Sequence, residues 1–334
     1  MTTKNAMPKG AMRHRLPGSR LSVLDVLRRF GTVIAFVLIV VYFAGSTNGA
    51  LISSGNIAAI LNQAAVVGTM ALGLTVCLVL GQLDLSIGYV ATLSGLVVTG
   101  LQSQQGLPPL VSIPVALAVA ALIGLVNGVV VTWLKVNALL ATLAMGAIIG
   151  GVISWYTITP FTTGIADDFV AFGQTRWGFL PAPAVVLIAT AVVLWVFLQQ
   201  TPTGRRMYAL GGNPEAARNA GVRIARLQIV AFVISGLCSG IAGILLSAQL
   251  GSGQPTGAVG LLLGAFSAAF LGASTWRDGE FHIGGTILGV LVIGVVFSGL
   301  ALTDAQYYLK DIVTGAILIL AVGSANLLRV RSTR

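Results

Sequence analysis

The sequence predicts an all-α polytopic membrane protein of about ten transmembrane helices. Three observations carry that prediction: the scarcity of charge, the length of the charge-free runs, and the side on which the basic residues fall. Only 8% of the 334 residues are charged and 56% are hydrophobic, where a soluble domain carries roughly a quarter charged residues. The charge-free runs are 30–83, 85–134, 136–166, 177–204, 227–276, 281–303 and 312–328. A helix needs about 20 apolar residues to cross roughly 30 Å of hydrocarbon. The first, second and fifth runs hold two spans each, with breaks expected at Gly45–Asn56, Gln102–Pro114 and Gln249–Gly257, and the other four hold one. These runs are continuous and do not alternate with period two, so a β-barrel is excluded.

With both termini in the cytoplasm, the inner segments collect 17 of the 19 basic residues, leaving Arg176 and Lys310 outside. That is the bias of the positive-inside rule, which a wrong span count would scramble. The formal charge of +10 therefore reflects topology and gives no reason to expect a nucleic-acid partner. The chain divides into a basic cytoplasmic segment (1–29), a membrane domain (30–328) with a long cytoplasmic loop (201–226), and a cytoplasmic tail (329–334). The basic start followed by an apolar stretch is a retained signal anchor, since nine further spans follow. Ser22–Phe30 can form a short interfacial helix with Val23, Leu24, Val26, Leu27 and Phe30 on one face. The longest outer segment, about Ile158–Pro181, has room for a short helix near 165–172. The 42 glycines suit close helix–helix approach in lipid.

The loop Thr201–Ala225 reads TPTGRRMYALGGNPEAARNAGVRIA. Asn213 is an N-cap residue, Pro214 suits the first helical position, and Glu215 puts negative charge at the positive end of the dipole. Ala216 and Ala217 favour helix, Gly221 can end it in the left-handed conformation, and Gly211-Gly212 permit a sharp turn into it. The outcome is a capped helix of about two turns among Arg205, Arg206, Arg218, Arg223 and Arg226. So short a helix is unstable by propensity alone and needs packing from its own chain or a partner. It is either a solvated loop whose arginines enforce topology or a docking knob for a cytoplasmic subunit.

The segment GRRMYALGGNPEAARNAGV resembles the cytoplasmic coupling segment of the ribose/xylose-type ABC sugar permeases. LVLGQLDLSIG is similar to that family's Gly-Gly-Ile-Asp-Leu-Ser-Val-Gly motif, and VNALLATLAMGAIIGGV to its mid-chain helix. AQLGSGQPTGAVGLLLGAFSAAFLGAS followed by GGTILGVLVIGVVFSGL is similar to its C-terminal third, so the likeness covers about residues 50–325. The resemblance implies an ABC importer permease fold in the bacterial inner membrane, paired with an identical or paralogous permease. It implies two cytoplasmic ATPase subunits that bind ATP and magnesium, and an extracytoplasmic binding protein that delivers a sugar-like solute. On this likeness Arg205, Arg206, Asn213, Pro214, Glu215, Ala216, Ala217, Arg218 and Gly221 form the ATPase-coupling element, with Glu215 and Arg218 making polar contacts. The chain departs from the pattern at Gln82, where the family has glycine, and at Gly272–Glu280, where Trp276 and three charges replace a glycine-rich turn.

A permease for a sugar needs hydrogen-bonding walls without fixed charge. The polar residues available along the spans are Asn62, Gln63, Asn127, Asn137, Thr142, Gln249 and Gln254. Gly251, Gly253 and Pro255 interrupt helix near the outer face, as backbone lining a cavity can. Asp84, the sole acidic residue between Asp25 and Asp167, and Ser86 form either a solvated turn capping the next helix or part of a gate. Asp84-Leu85-Ser86-Ile87-Gly88 is loosely echoed by Glu280-Phe281-His282-Ile283-Gly284, a possible internal repeat.

Enzymatic readings have no support in the sequence. None of Lys4, Lys9, Lys135 and Lys310 lies in GxxxxGK[ST], and His14 and His282 make no catalytic or metal cluster. Cys77 and Cys238 lie in apolar spans and read as small core residues. No cofactor of its own is expected. The competing function is an ion-coupled secondary transporter of a small polar solute, which would place ionisable residues deep in the spans.

Overall fold

The computed structural model describes residues 23–275 and 279–332. Residues 1–22, Trp276, Arg277 and Asp278 of the divergent turn, and Thr333–Arg334 lie outside the described residues. Helix α1 (Val23–Ser46) leads to α2 (Ser54–Val79), α3 (Ile87–Gln105), α4 (Pro109–Thr132) and α5 (Ala138–Tyr156). A short α6 (Asp167–Gln174) and a two-stranded antiparallel hairpin, β1 (Arg176–Trp177) and β2 (Leu180–Pro181), precede α7 (Ala182–Trp195), which continues as a π turn over Val196–Gln200. Then come α8 (Pro202–Gly212), α9 (Pro214–Asn219), α10 (Ile224–Leu250), α11 (Leu262–Ala273), α12 (Ile283–Leu302) and α13 (Tyr307–Ser332).

Each expected span corresponds to a helix, and the breaks fall at Thr47–Ser53, Gly106–Pro108 and Gly251–Leu261. Their chemistry is local. Ser53 accepts from the Asn56 amide (3.3 Å) to start α2, and Pro109 stands in the first turn of α4. Gly106 and Gly251 end α3 and α10 at φ +64° and +61°, a conformation that favours glycine. The short outer helix is α6. Val23–Phe30, expected as a separate interfacial helix, are instead the first turns of α1.

Among the described residues, six helices are long and apolar enough to cross a membrane: α2, α4, α5, α7 with its π turn, α10 and α12. Gly31–Ser46 and Val259–Ala273 are apolar but shorter. Helix α3 is less apolar because Ser94, Thr99 and Gln102 are buried against protein and need not meet lipid.

The bundle is built around α2 and α10. Of the most apolar stretch of α2, 72% is buried, against 22% for α4, so α2 is interior and α4 peripheral. Leu122 and Leu125 of α4, Leu140 and Ile148 of α5, Ile188 and Val192 of α7, and Ile319 and Leu320 of α13 point outward. Outward apolar side chains on this scale suit hydrocarbon, where they incur no hydration cost. Lipid gives helices no hydrophobic reason to associate, so close packing of small residues must do so. At the crossing of α4 and α10, a Cβ on Gly124 would lie 3.0 Å from the Cα of Val233, and one on Gly128 2.8 Å from the Cα of Ile229. Helix α10 also packs on α2 and α3, and α11 and α12 pack on each other and on α2.

Helices α8 and α9 lie at one end of the bundle; α6 and the hairpin lie at the other. Arg176 is in the hairpin and Lys310 in the first turn of α13, its Nζ 4.4 Å from the centre of the Phe297 ring. The two basic residues that stand apart in the charge pattern therefore share the α6 end.

Candidate functional site

Two irregular segments enter the bundle from opposite ends. Residues 80–86, between α2 and α3, leave the α8 end, where Gly211 of α8 packs against the backbone of Val79. They climb back inward until the Asp84 carboxylate meets Ser235 of α10. Ser235 lies eleven residues from the start of α10, about 16 Å along the axis. Residues 251–261 descend from the α6 end alongside α3. Phe161 and Gly253 exchange backbone hydrogen bonds of 3.0 and 2.9 Å near the entrance. Deeper, the Ala258 amide donates to Thr92 Oγ1 (3.1 Å), and Gly88 abuts Val259, where a Cβ would lie 3.2 Å from the Val259 Cα. From Thr99 to Gly88 this covers about 16 Å of α3. The two irregular segments therefore approach each other at the start of α3, in the middle of the bundle. Non-helical backbone at such depth is sustained only where protein or a polar cavity surrounds it.

Asp84 anchors this junction. It is 1% exposed, so its reading as a solvated surface turn is corrected: the extended segment carries it inward. One carboxylate oxygen accepts from the Ser86 amide (3.0 Å) and hydroxyl (2.6 Å), the other from Ser235 Oγ (2.7 Å). Asn127 Nδ2 donates to Ser86 Oγ (2.9 Å), and Thr142 Oγ1 accepts from the Leu85 amide (3.0 Å). Buried hydrogen bonds of this kind are costly to leave unmade. Helices α3, α4, α5 and α10 are thus tied to one carboxylate, either directly or through one residue.

The remaining path candidates do not join this cluster. Gln249 Nε2 donates to the Asn62 carbonyl (2.9 Å), fastening α10 to α2, and Gln63 is half-buried beside that contact. Gln254 Nε2 donates to Ser252 Oγ (2.9 Å) and, with Thr92 and Ser247, lines a cavity of about 10 Å³. Asn137 is exposed and caps α5 by accepting from the Leu139 amide (2.9 Å). A wider cleft of about 630 Å³ opens between α3, α5 and residues 255–260, lined by Tyr89, Gly150, Ser154, Thr157 and Thr256 among others.

At the α8 end, the capped helix forms as its residues dictate. Asn213 Oδ1 accepts from the Ala216 amide (2.9 Å), Pro214 and Glu215 occupy the first turn, and Gly221 follows at φ +75°. The Gly221 and Val222 amides close the end onto the Arg218 and Ala217 carbonyls (3.0 and 3.1 Å). Only Ala217 of α9 is buried; Glu215, Ala216 and Arg218 are exposed, as are Arg205 and Arg206 of α8. Gly211-Gly212, expected to form a turn, are the last helical residues of α8, and Gly211 is required by its contact with Val79. Tyr208 Oη donates to the Phe281 carbonyl (3.1 Å), so α8 touches the second echoed motif and, through Gly211, the end of α2 just ahead of the first. Each motif opens a helix, α3 at Ile87 and α12 at Ile283, both buried; Asp84 is buried whereas Glu280 is exposed.

Residues 56–322 match the family model described as "Branched-chain amino acid transport system / permease component". The chain belongs to that permease family. It is 32% identical over 296 residues to the ribose import permease protein of Haemophilus influenzae, covering 87% of this chain and 91% of that one. It is 35% identical over 256 residues to the L-arabinose transport system permease protein of Escherichia coli (76% and 77%). To the D-allose transport system permease protein of the same organism it is 29% identical over 300 residues (90% and 92%). This permease is a multi-pass membrane protein that acts in transport.

Two residues of these sites escaped the reading of this permease's sequence. Ser235 is signalled only by its place in the small-residue series Ser235, Gly236, Ser239, Gly240, Gly243. Tyr89 had a clearer sign: it is the one aromatic residue between Phe43 and Trp133.

Proposed function

We propose that this permease is the membrane-spanning subunit of an ATP-driven importer for a sugar or sugar-like solute in the bacterial inner membrane. It crosses ten times, with both termini and α8–α9 in the cytoplasm. The observation that carries the reading is α9: a helix capped at both ends, exposed everywhere except Ala217, and joined to an α8 that rests on the end of α2 at Val79 and on Phe281 just ahead of α12. An ATPase subunit that grips α9 moves α8, and α8 bears on the bases of α2–α3 and α12. Arg205, Arg206, Glu215 and Arg218 make the polar contacts with that subunit. ATP and magnesium are bound by the partner, and this chain needs no cofactor of its own. A second permease copy or paralogue completes the core, and a binding protein loads it from the α6 side.

A sugar fits better than an amino acid, although the family description names branched-chain amino acids. An amino acid brings two fixed charges, which a site that binds it pairs with charged or charge-assisting groups. The cleft offers the hydroxyls of Tyr89, Ser154, Thr157 and Thr256 with no charged side chain. Relatives named for ribose, allose and arabinose support the same choice. The test is purification with the cognate ATPase and binding protein, followed by a panel of pentoses, hexoses, polyols and branched-chain amino acids read as stimulated ATP hydrolysis. Stimulation by a sugar is expected; stimulation by the amino acids alone overturns the substrate class.

A further inference from the structure

Tyr89 is the third residue of α3, whose first turn is fixed at mid-bundle through Ser86, Asp84 and Ser235. Its ring lies on a flat seat made by two glycines of α5. A Cβ on Gly146 would stand 2.9 Å from the ring carbon Cδ2, and one on Gly150 3.4 Å from Cε1. Larger residues at 146 would expel the ring. On its other flank run Pro255, Val259 and Gly260 of the irregular segment, and between these walls the 630 Å³ cleft extends past Ser154 to Thr157. That size is within the range of small-molecule sites.

Two features show what the cleft must contain. Among the described residues, no protein hydrogen bond reaches the Tyr89 hydroxyl or that of Thr256; Tyr89 is half-buried and Thr256 exposed, so both hydroxyls are open to water or to a solute. The wall at 255–258 is outside any helix and runs into a single 3-10 turn at Val259–Leu261, with Thr256 and Gly260 exposed, and lipid is a poor neighbour for such backbone. The cleft is therefore wet, and its floor is an immobilised aromatic face with a free hydroxyl beside it. That pairing fits a neutral ring compound with a C–H face and a rim of hydroxyls.

We propose that Tyr89 is a solute-contact residue at the floor of a water-filled cleft, packing its ring on the C–H face of a sugar and hydrogen bonding to the sugar's rim. The proposal rests on the sugar-importer reading and adds the place and the residue. It is tested in the assembled transporter in sealed vesicles with Tyr89→Cys, Thr256→Cys and the lipid-facing control Ile188→Cys. The native Cys77 and Cys238 are buried and give the background. A membrane-impermeant thiol reagent is added from the α6 side. A thiol reacts as thiolate and so needs water, and labelling at 89 and 256 is expected to be about tenfold faster than at 188. The sugar selected by the ATP-hydrolysis panel is expected to slow labelling at 89.

A ring that serves packing alone is fully replaced by phenylalanine. Tyr89→Phe is therefore expected to insert normally yet change the ratio of uptake rates between two transported sugars that differ in one hydroxyl. Labelling at 89 no faster than at 188 overturns the proposal, as does an unchanged sugar ratio in Tyr89→Phe. Should Tyr89→Cys fail to assemble, slow labelling of Thr256→Cys overturns it equally. If no sugar stimulates hydrolysis at all, the sugar reading has failed instead, and the labelling rates still decide whether the cleft is wet.

Discussion

The bond between Asp84 and Ser235 can be measured by a double-mutant cycle. Ser235 Oγ is the one donor to its carboxylate oxygen, at 2.7 Å, and both residues are buried. Removing one partner of a buried hydrogen bond costs about 1–3 kcal/mol, because the group left behind stays buried without a mate. Ser235→Ala is therefore expected to cost about 2 kcal/mol, close to a 30-fold change in the unfolding equilibrium at 1.4 kcal/mol per tenfold. Asp84→Ala is less simple. It leaves the Ser86 amide, the Ser86 hydroxyl and the Ser235 hydroxyl without their acceptor, but it also removes a buried carboxyl group, costly to desolvate, that has no basic residue among its partners. The cycle cancels that opposing effect and isolates the pair. Reversible unfolding in mixed detergent micelles, followed by circular dichroism for the parent, the two single variants and the double variant, should give a coupling near 2 kcal/mol. A coupling below about 0.5 kcal/mol, the usual scatter of independent sites, would refute the claim that this carboxylate fastens the inward turn to α10.

Two further outcomes are expected. Replacing Glu215 and Arg218 together by alanine should leave insertion intact, since both side chains are exposed, while lowering uptake per ATP hydrolysed; vesicle uptake and ATPase rate measured together decide it. Gly236→Leu should block the close approach of α4 and α10, because a Cβ there already meets the Gly124 Cα at 3.2 Å; overpacking costs about 1–3 kcal/mol, seen as a lower unfolding midpoint, whereas Leu125→Ile on the outward face of α4 should leave it unchanged.

What the sequence disclosed follows from the range of the interactions involved. Spans and breaks are written in runs of apolar residues and in single turn-formers such as Gly106 and Gly251. The coupling helix is written in Asn213, Pro214 and Gly221, whose effects reach only a few residues. Depth was not legible in the same way. Asp84 occupies a break in the charge-free runs and therefore reads as a surface turn as readily as a gate, yet the chain turns back after Gly81 and carries it into the bundle. Gly211 reads as a hinge, but the close approach of Val79, 132 positions earlier in sequence, is what requires a glycine there. Tyr89 announces itself as a solitary aromatic, but its glycine seat lies on α5, at Gly146 and Gly150, and only folding brings them together.

The most direct measurement of the whole account is solute flux in liposomes containing the purified permease, first alone and then with its ATPase and binding protein. The account predicts no flux from the permease alone under a proton or sodium gradient, and accumulation once the partners and ATP are present. Gradient-driven flux through the isolated permease, independent of nucleotide, would contradict it.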